Sequence, residues 1–99
     1  MVIELADIRV RPEDKAAFSE AITRALKTVL SKAAGYRGHT VYACQETPGR
    51  YMLKVEWDSV EAHNVGFRQS PAFAEWRAII GPFFACPPLV EHFEVLAKH

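Results

Sequence analysis

The chain lacks an excess of charge of either sign. Twelve Lys and Arg residues balance twelve Asp and Glu residues, and no run of like charge occurs among the 99 residues. Proteins that bind nucleic acid usually carry a basic stripe that neutralises phosphates. The balance of charge therefore argues against nucleic acid as a partner.

The chain also lacks a long apolar run and a cysteine framework. No stretch approaches the roughly 20 apolar residues of a membrane span, and the N-terminus carries acids without the basic segment of a secretory signal. Cys44 and Cys86 stand far apart with no CxxC motif, which is typical of reduced thiols. No spacing among the four histidines indicates a metal site. These absences predict a cytoplasmic protein with no membrane partner.

Apolar residues are abundant instead. They make up 49% of the sequence and include two Trp, three Tyr and six Phe. A chain of this length, without linkers or repeats, is expected to form one domain over residues 1–99. Such a small domain buries only about two-thirds of the surface that its unfolded chain exposes. Surplus apolar surface is usually covered by a partner, although an unusually rich core is the alternative.

The first helix has the clearest pattern. Apolar residues recur every three or four positions from Phe18 to Ala33, which predicts one buried stripe on a helix. Pro12 suits the first helical position, where its missing N–H costs nothing. Gly35 is expected to end the helix in the left-handed conformation.

Four strands and a second helical region account for the rest of the chain. Segments rich in β-branched and apolar residues predict strands at 2–10, 38–46, 51–58 and 89–96. The second helical region is expected to begin at a cap, Asp58 or Ser59, to restart at Ser70-Pro71, and to stop at Gly81. The order β, α, β, β, α, β predicts an α+β, ferredoxin-like fold, with a four-stranded antiparallel sheet and both helices on one face.

The two faces of the sheet differ in composition. The face under the helices is expected to be wholly apolar, as represented on the third strand by Tyr51, Leu53, Val55 and Trp57. The other face carries Met52, Lys54 and Glu56. The last strand adds alternate residues to this face in one of two possible registers, either Leu89, Glu91, Phe93 and Val95 or Val90, His92, Glu94 and Leu96. This mixture of apolar and charged groups predicts a partner sheet over a partly polar cavity, hence a homodimer. An exposed face with scattered hydrophobic residues is the alternative.

Several segments together resemble the antibiotic biosynthesis monooxygenase domain family of the dimeric α+β barrel group. They are YMLKVEWDS, VEA, GFRQSPAF, EWRAIIGPFF and PPLVEHFEVL, in this order. The most specific portions are Glu56-Trp57, Ser59-x-Glu61-Ala62 and Ser70-Pro71-x-Phe73. The resemblance runs over essentially the full length, from the first strand to the last.

The resemblance implies a homodimeric barrel with one pocket per protomer between helices and sheet. For some members it implies oxidation of aromatic polyphenols or quinols by dioxygen with no cofactor, neither metal nor flavin. A deprotonated substrate can pass an electron to oxygen, so such a protein binds the ring, acts as a base and excludes water. Phe67 and Ala72 stand where many members have His. Ala6, Phe67 and Arg77 replace the Asn, Trp and His of a haem-degrading branch, so haem cleavage is not expected.

Three residues are candidates for acid–base chemistry. His63 lies one helical turn before Phe67 and is a candidate base, with a packing histidine as the alternative. His92 and Glu56 are expected to form a carboxylate-oriented base if they share the cavity face, with an inter-strand polar pair as the alternative.

Five further residues are candidates for contact with a substrate. Arg68 and Arg77 flank Trp76 and suit an anionic substrate, although arginines stacked on an aromatic ring would give the same pattern. Phe67 and Trp76 are candidate aromatic contacts, and Tyr42 is a candidate hydroxyl donor or a packing residue. Two functions stay open: a cofactor-independent monooxygenase acting on an aromatic or quinol-type small molecule, and a non-catalytic dimeric small-molecule-binding or regulatory module.

Overall fold

The computed structural model describes all residues 1–99 and has the predicted ferredoxin-like βαββαβ fold. Its helices and strands, in chain order, are β1 Val2–Arg9, α1 Lys15–Thr28, β2 Tyr36–Ala43, β3 Arg50–Trp57, α2 Pro71–Ile80 and β4 Leu89–Phe93. The strands form one antiparallel sheet in the order β2-β3-β1-β4. Neither helix is long and apolar enough to cross a bilayer.

Helix α1 buries its predicted stripe against the sheet, with Phe18 and Ala25 fully buried. The regular helix is shorter than the periodicity predicted, because tight 3-10 turns occupy Pro12–Asp14 and Leu30–Lys32. Leu30 still packs in the core at 2% exposure, so the apolar pattern continues past the regular helix. Gly35 takes the predicted left-handed conformation, with φ at +83°, directly before β2.

Strand β4 ends at Phe93, three residues earlier than the sequence predicted. Its only neighbour is β1, and the last pair of their ladder is Ile3 with Phe93. Only Val2 of β1 lies beyond this pair, so β1 offers almost no backbone groups to which a longer β4 could hydrogen-bond. Val95 and Leu96 therefore lie outside the sheet with exposures of 55% and 95%.

The helix-covered face of the sheet is mostly apolar, but the prediction that it is wholly apolar is wrong. Tyr51, Leu53, Val55 and Trp57 lie on it and are at most 7% exposed, as predicted. The register also directs Glu4 of β1 and His92 of β4 to this side. The opposite face, which no element covers, has the first of the two predicted registers. We call it the open face; besides residues of β1 and β2 it carries Met52, Lys54, Glu56, Leu89, Glu91 and Phe93.

A π-helical segment, Ala62–Phe67, connects β3 to α2. Its backbone closes wide turns, such as the hydrogen bond from the Arg68 N–H to the His63 carbonyl oxygen at 2.9 Å. Of the two predicted caps, Asp58 and Ser59, it is Ser59 that forms the cap, because its Oγ accepts a hydrogen bond from the Ala62 N–H at 3.1 Å. The predicted cap at Ser70 does not form, because its hydroxyl donates backwards to the Phe67 carbonyl at 2.6 Å.

The turn between β2 and β3 depends on Gly49. Its φ is +87°, and a Cβ at this position would lie 2.2 Å from the carbonyl oxygen of Val10. We expect Gly49→Ala to lower the free energy of unfolding by at least about 2 kcal/mol, because the left-handed backbone alone costs about 1–2 kcal/mol and the clash adds to it. Urea unfolding measures this change.

Gly81→Ala is the matched control. Gly81 has a helical backbone, and a Cβ there meets nothing within 4 Å. We expect this substitution to change the free energy of unfolding by less than about 0.5 kcal/mol. Equal effects of the two substitutions would contradict the structural role assigned to Gly49.

Candidate active site

A cavity of about 800 Å³ lies between the sheet and the helices. Its lining is mostly hydrophobic and comes from β1, β3, the π-helical segment, α2 and the segment 84–90. Volume and composition both suit a small-molecule site. The composition of the sheet faces predicted a partly polar cavity at the open face, whereas the family resemblance implied a pocket between the helices and the sheet, which is where this cavity is found. It lies on the helix side because Glu4 points there and because the helices enclose space only on that side.

Glu4 is a carboxyl group buried in the wall of this cavity. It lies at the centre of β1, is 6% exposed, and alternates with the buried residues Ala6 and Ile8. The Trp57 indole Nε1–H donates to its Oε1 at 2.8 Å. Burial raises the pKa of Glu4 to about 7, although the Trp57 hydrogen bond and the positive charge of Arg68 both lower it. Near neutral pH this carboxyl group can therefore both accept and donate a proton.

His63 lies beside Glu4 and is held on both sides. Its Nε2 is 3.3 Å from Glu4 Oε1, and its Nδ1 is 2.8 Å from His92 Nε2. The imidazole ring stacks on the Trp57 indole, with centroids 5.0 Å apart and planes 20° from parallel. Burial, together with smaller contributions from positive charge on His92 and Arg68, lowers the pKa of His63 to about 4. His63 is therefore neutral at pH 7, and its contact with Glu4 is a hydrogen bond rather than an ion pair.

His92 completes a cluster of three groups. It pairs directly with Glu4 across the β1–β4 ladder and is only partly buried. We call Glu4, His63 and His92 the acid–histidine cluster. The predicted pair of His92 with Glu56 does not form, because Glu56 pairs with Ile3 and lies on the open face. Glu4 thus occupies the position beside histidine that the sequence had assigned to Glu56.

The structure brings most of the predicted substrate contacts to the cavity. Phe67, Arg68, Trp76 and Arg77 all line it. The Arg68 guanidinium lies 5.6 Å from the Phe73 ring centre, so the alternative of an arginine stacked on an aromatic ring holds for Arg68, with Phe73 rather than Trp76 as the ring. Neither Arg68 nor Arg77 forms an ion pair with a carboxylate. Two exposed positive charges therefore flank an apolar cavity.

Tyr42 lies outside the cavity, contrary to its selection as a substrate contact. It pairs with Met52 on the open face and is 49% exposed. The alternation of β2 relative to β3 explains this placement, because residues opposite Met52 and Lys54 point away from the helices. Tyr42 therefore belongs to the surface that a partner sheet would cover.

Glu4 is the residue that sequence reasoning missed. Its signal was an acid within an apolar strand, VIELADIRV, where a carboxylate is seldom buried without a specific partner. The strand also contains Asp7, which points to the open face and pairs with Arg50 at 2.9 Å. The sequence did not distinguish these two acids. The register with β3 does so by placing Glu4 opposite Val55 and Asp7 opposite Met52.

Comparison with known proteins gives consistent results. The family model described as antibiotic biosynthesis monooxygenase matches residues 1–79. The chain is 35% identical over 94 residues to the uncharacterized protein YczJ of Bacillus subtilis (strain 168), covering 95% of this chain and 98% of that protein. It is 38% identical to a candidate antibiotic biosynthesis monooxygenase from Bordetella bronchiseptica, whose crystal structure superposes with a TM-score of 0.91 over 97% of both chains.

A more distant likeness concerns the fold alone. SnoaB, a cofactor-independent oxygenase from Streptomyces nogalater, is 15% identical to this chain. Its structure superposes with a TM-score of 0.80 and covers 98% of this chain and 94% of SnoaB.

Proposed function

Because the chain belongs to the antibiotic biosynthesis monooxygenase family, we propose that it is a cofactor-independent monooxygenase that oxidises an aromatic or quinol-type small molecule with dioxygen. The observation that carries this proposal is Glu4, a carboxyl group with a pKa raised to about 7 in the wall of a mostly apolar cavity. A general base is most effective when its pKa is close to the working pH.

The proposed reaction begins when ionised Glu4 takes a proton from the substrate. The substrate anion passes one electron to dioxygen, and the two radicals combine to form a carbon–oxygen bond. The proton returns from Glu4 to the resulting peroxide, and loss of water leaves a carbonyl group. At an activated ring carbon the net change is CH2 plus O2 giving C=O plus H2O. The substrate supplies all the electrons, so the chain needs only to bind, deprotonate and exclude water.

Glu4 is a better candidate for the reacting base than His63, which the sequence favoured. Both ring nitrogens of His63 are engaged, by Glu4 and by His92. Glu4 uses only Oε1 in contacts with the chain, so its Oε2 is left for a ligand in the cavity. We therefore assign direct contact with the substrate to Glu4 and a supporting role to His63.

Arg68 is suited to stabilise the substrate anion. It lines the cavity and lies close enough to Glu4 and His63 for its charge to lower the pKa of both. We expect Arg68→Gln to lower kcat/KM by about tenfold, since it removes a cation from the place where negative charge develops. Arg24→Gln, on an exposed face of α1 away from the cavity, is the control and should leave kcat/KM unchanged. Equal values for the two variants would remove Arg68 from the site.

The activity itself is tested by supplying quinols and anthrones under air and following oxygen consumption. One atom of isotope-labelled dioxygen should enter each product molecule, and a metal chelator should not reduce the rate. Tight binding of the panel without turnover would instead support the non-catalytic binding module. Phe67, buried where many family members have His, is the feature that favours that second function.

We also propose that two copies pair through their open faces. The face exposes large apolar groups, including Leu89 at 62% and Phe93 at 44%. The carboxylate of Asp7 on this face is already paired, with Arg50 at 2.9 Å and Arg9 at 3.1 Å. Hydrogen bonds from these two arginines lower the pKa of Asp7. A second sheet can therefore cover the face without leaving Asp7 unpaired.

A further inference from the structure

The acid–histidine cluster forms one continuous series of hydrogen-bonding groups from the cavity towards the outside. Glu4 Oε1 is 3.3 Å from His63 Nε2, and His63 Nδ1 is 2.8 Å from His92 Nε2. Glu4 and His63 are 6% and 4% exposed, whereas His92 is only partly buried and its Nδ1 bonds no group of the chain. The series thus has a buried end at the cavity and an end near solvent.

We infer that His63 and His92 are the path by which Glu4 exchanges its proton with solvent while a substrate fills the cavity. The inference rests on the proposed function in one respect, that Glu4 is the base. A ligand in the cavity would cover Glu4 on the one side that the chain leaves open. About half of the Glu4 carboxyls are protonated near pH 7, so a substrate often meets the base in its inactive form. The path lets this proton leave without release of the substrate.

The transfer involves three proton steps that balance. The proton on Glu4 Oε1 moves to His63 Nε2, the proton on His63 Nδ1 moves to His92 Nε2, and the proton on His92 Nδ1 moves to water. One proton reaches solvent, Glu4 becomes ionised, and both histidines end neutral with their protons on Nε2. The same steps in reverse return a proton to Glu4.

Charge on Glu4 is therefore linked to the tautomers of both histidines. Ionised Glu4 accepts a hydrogen bond, which requires a proton on His63 Nε2 and leaves His63 Nδ1 to accept from His92. Protonated Glu4 donates, which reverses both bonds. The groups that face the cluster support this exchange. The Trp57 N–H fixes Oε1, and the positive charge of Arg68 opposes a stable imidazolium at His63.

Nitrogen NMR of the histidine rings tests the path without any substrate. As the pH is raised through the Glu4 midpoint, both rings should move their protons from Nδ1 to Nε2 with one common midpoint. Glu4→Gln should hold both neutral rings in the Nε2–H form across the pH range in which Glu4 titrates in the wild-type protein. The Trp57 N–H keeps the amide oxygen at the Oε1 position, where it can only accept. Rings that keep one tautomer through the titration of Glu4 would overturn the inference.

A kinetic test uses two variants of His92. His92→Ala should reduce turnover about tenfold at pH 6, where Glu4 is mostly protonated when the substrate binds, and less than about twofold at pH 9. Added imidazole should restore the rate at pH 6. His92→Gln keeps a hydrogen bond to His63 but transfers no proton, so it should show the same loss without rescue. His99→Ala, at the exposed C-terminus, is the control. A loss that is equal at both pH values would indicate a structural role and reject the path.

The two tests separate this inference from the proposed function. Coupled tautomers in a protein that oxidises no compound of the panel would retain the path and reject the oxygenase. Uncoupled tautomers in a protein that loses activity on Glu4→Gln would retain the oxygenase and reject the path.

Discussion

Replacement of Glu4 by Gln is expected to reduce kcat/KM for oxygen consumption by at least about a hundredfold, the contribution typical of a positioned general base. The amide has nearly the same volume as the carboxyl group and keeps an oxygen that can accept the hydrogen bond of the Trp57 N–H. In the wild-type protein Trp57 Nε1 lies 2.8 Å from Glu4 Oε1. The amide cannot accept a proton from the substrate. Initial rates of oxygen uptake at pH 8, where wild-type Glu4 is mostly ionised, give the comparison.

Glu20→Gln is the matched control for this prediction. Glu20 lies on an exposed face of α1 and does not line the cavity, so the same chemical change should leave the rate unaltered. Binding of a substrate or product analogue should be nearly the same in both variants, because the Glu4 change preserves the shape of the cavity. If Glu4→Gln retained more than half of the wild-type activity, Glu4 would not be the base.

The second large effect is expected at the open face. Phe93→Glu should weaken self-association by at least about a hundredfold, because pairing of the sheets would bury an unpaired charge where an aromatic ring had packed. Phe93 is 44% exposed in the single chain and its ladder partner is Ile3, so no cation of β1 stands directly opposite the new carboxylate. Stability of the separate protomer should change little.

Light scattering on a sizing column measures this change. The wild-type chain should elute with twice its mass of 11.1 kDa at micromolar concentration, and Phe93→Glu should elute as the single chain. Val65→Glu is the control, since Val65 is similarly exposed at 53% but lies on the π-helical segment away from the open face. A monomeric wild-type protein would contradict the proposed pairing of sheets.

The order of elements was predictable because each has its own period. The stripe around Phe18 repeats every three to four residues, and Tyr51 to Trp57 alternate strictly, so helix and strand are distinguished locally. The ends of elements were less predictable because they depend on partners. The apolar stripe of α1 continues into a 3-10 turn, and β4 ends at the residue that pairs near the N-terminal end of β1. The residues of α1 and of β4 themselves do not determine where either element ends.

The site was only partly predictable because register is not a local property. Strand β1 has apolar residues on both faces, so the sequence left open which of Glu4 and Asp7 is buried. For the same reason two registers of β4 stayed possible, and only one of them brings His92 beside His63. His63 and Phe67 were selected because Phe67 stands at a position where many family members have His and His63 lies one helical turn before it. Arg68 and Trp76 were selected because arginines that flank an aromatic residue suit an anionic substrate.

The placement of His63 also depends on the π-helical segment. Its wide turns bury His63 and Phe67 together at 4% and 3% exposure, with ring centroids 6.4 Å apart. A regular helix was the natural expectation from the sequence, and the π-helical turns are frequent at functional sites. The sequence therefore selected His63 as a candidate, while its contacts with Glu4 and His92 depend on the fold.

The most direct test of the role of Glu4 is carbon NMR of its carboxyl group as a function of pH in the wild-type protein. Burial in the cavity wall should give a midpoint near 7, where the group is poised to take and return a proton. A midpoint near 4.5, the ordinary value of an exposed glutamate, would contradict the assignment of Glu4 as a base tuned to neutral pH.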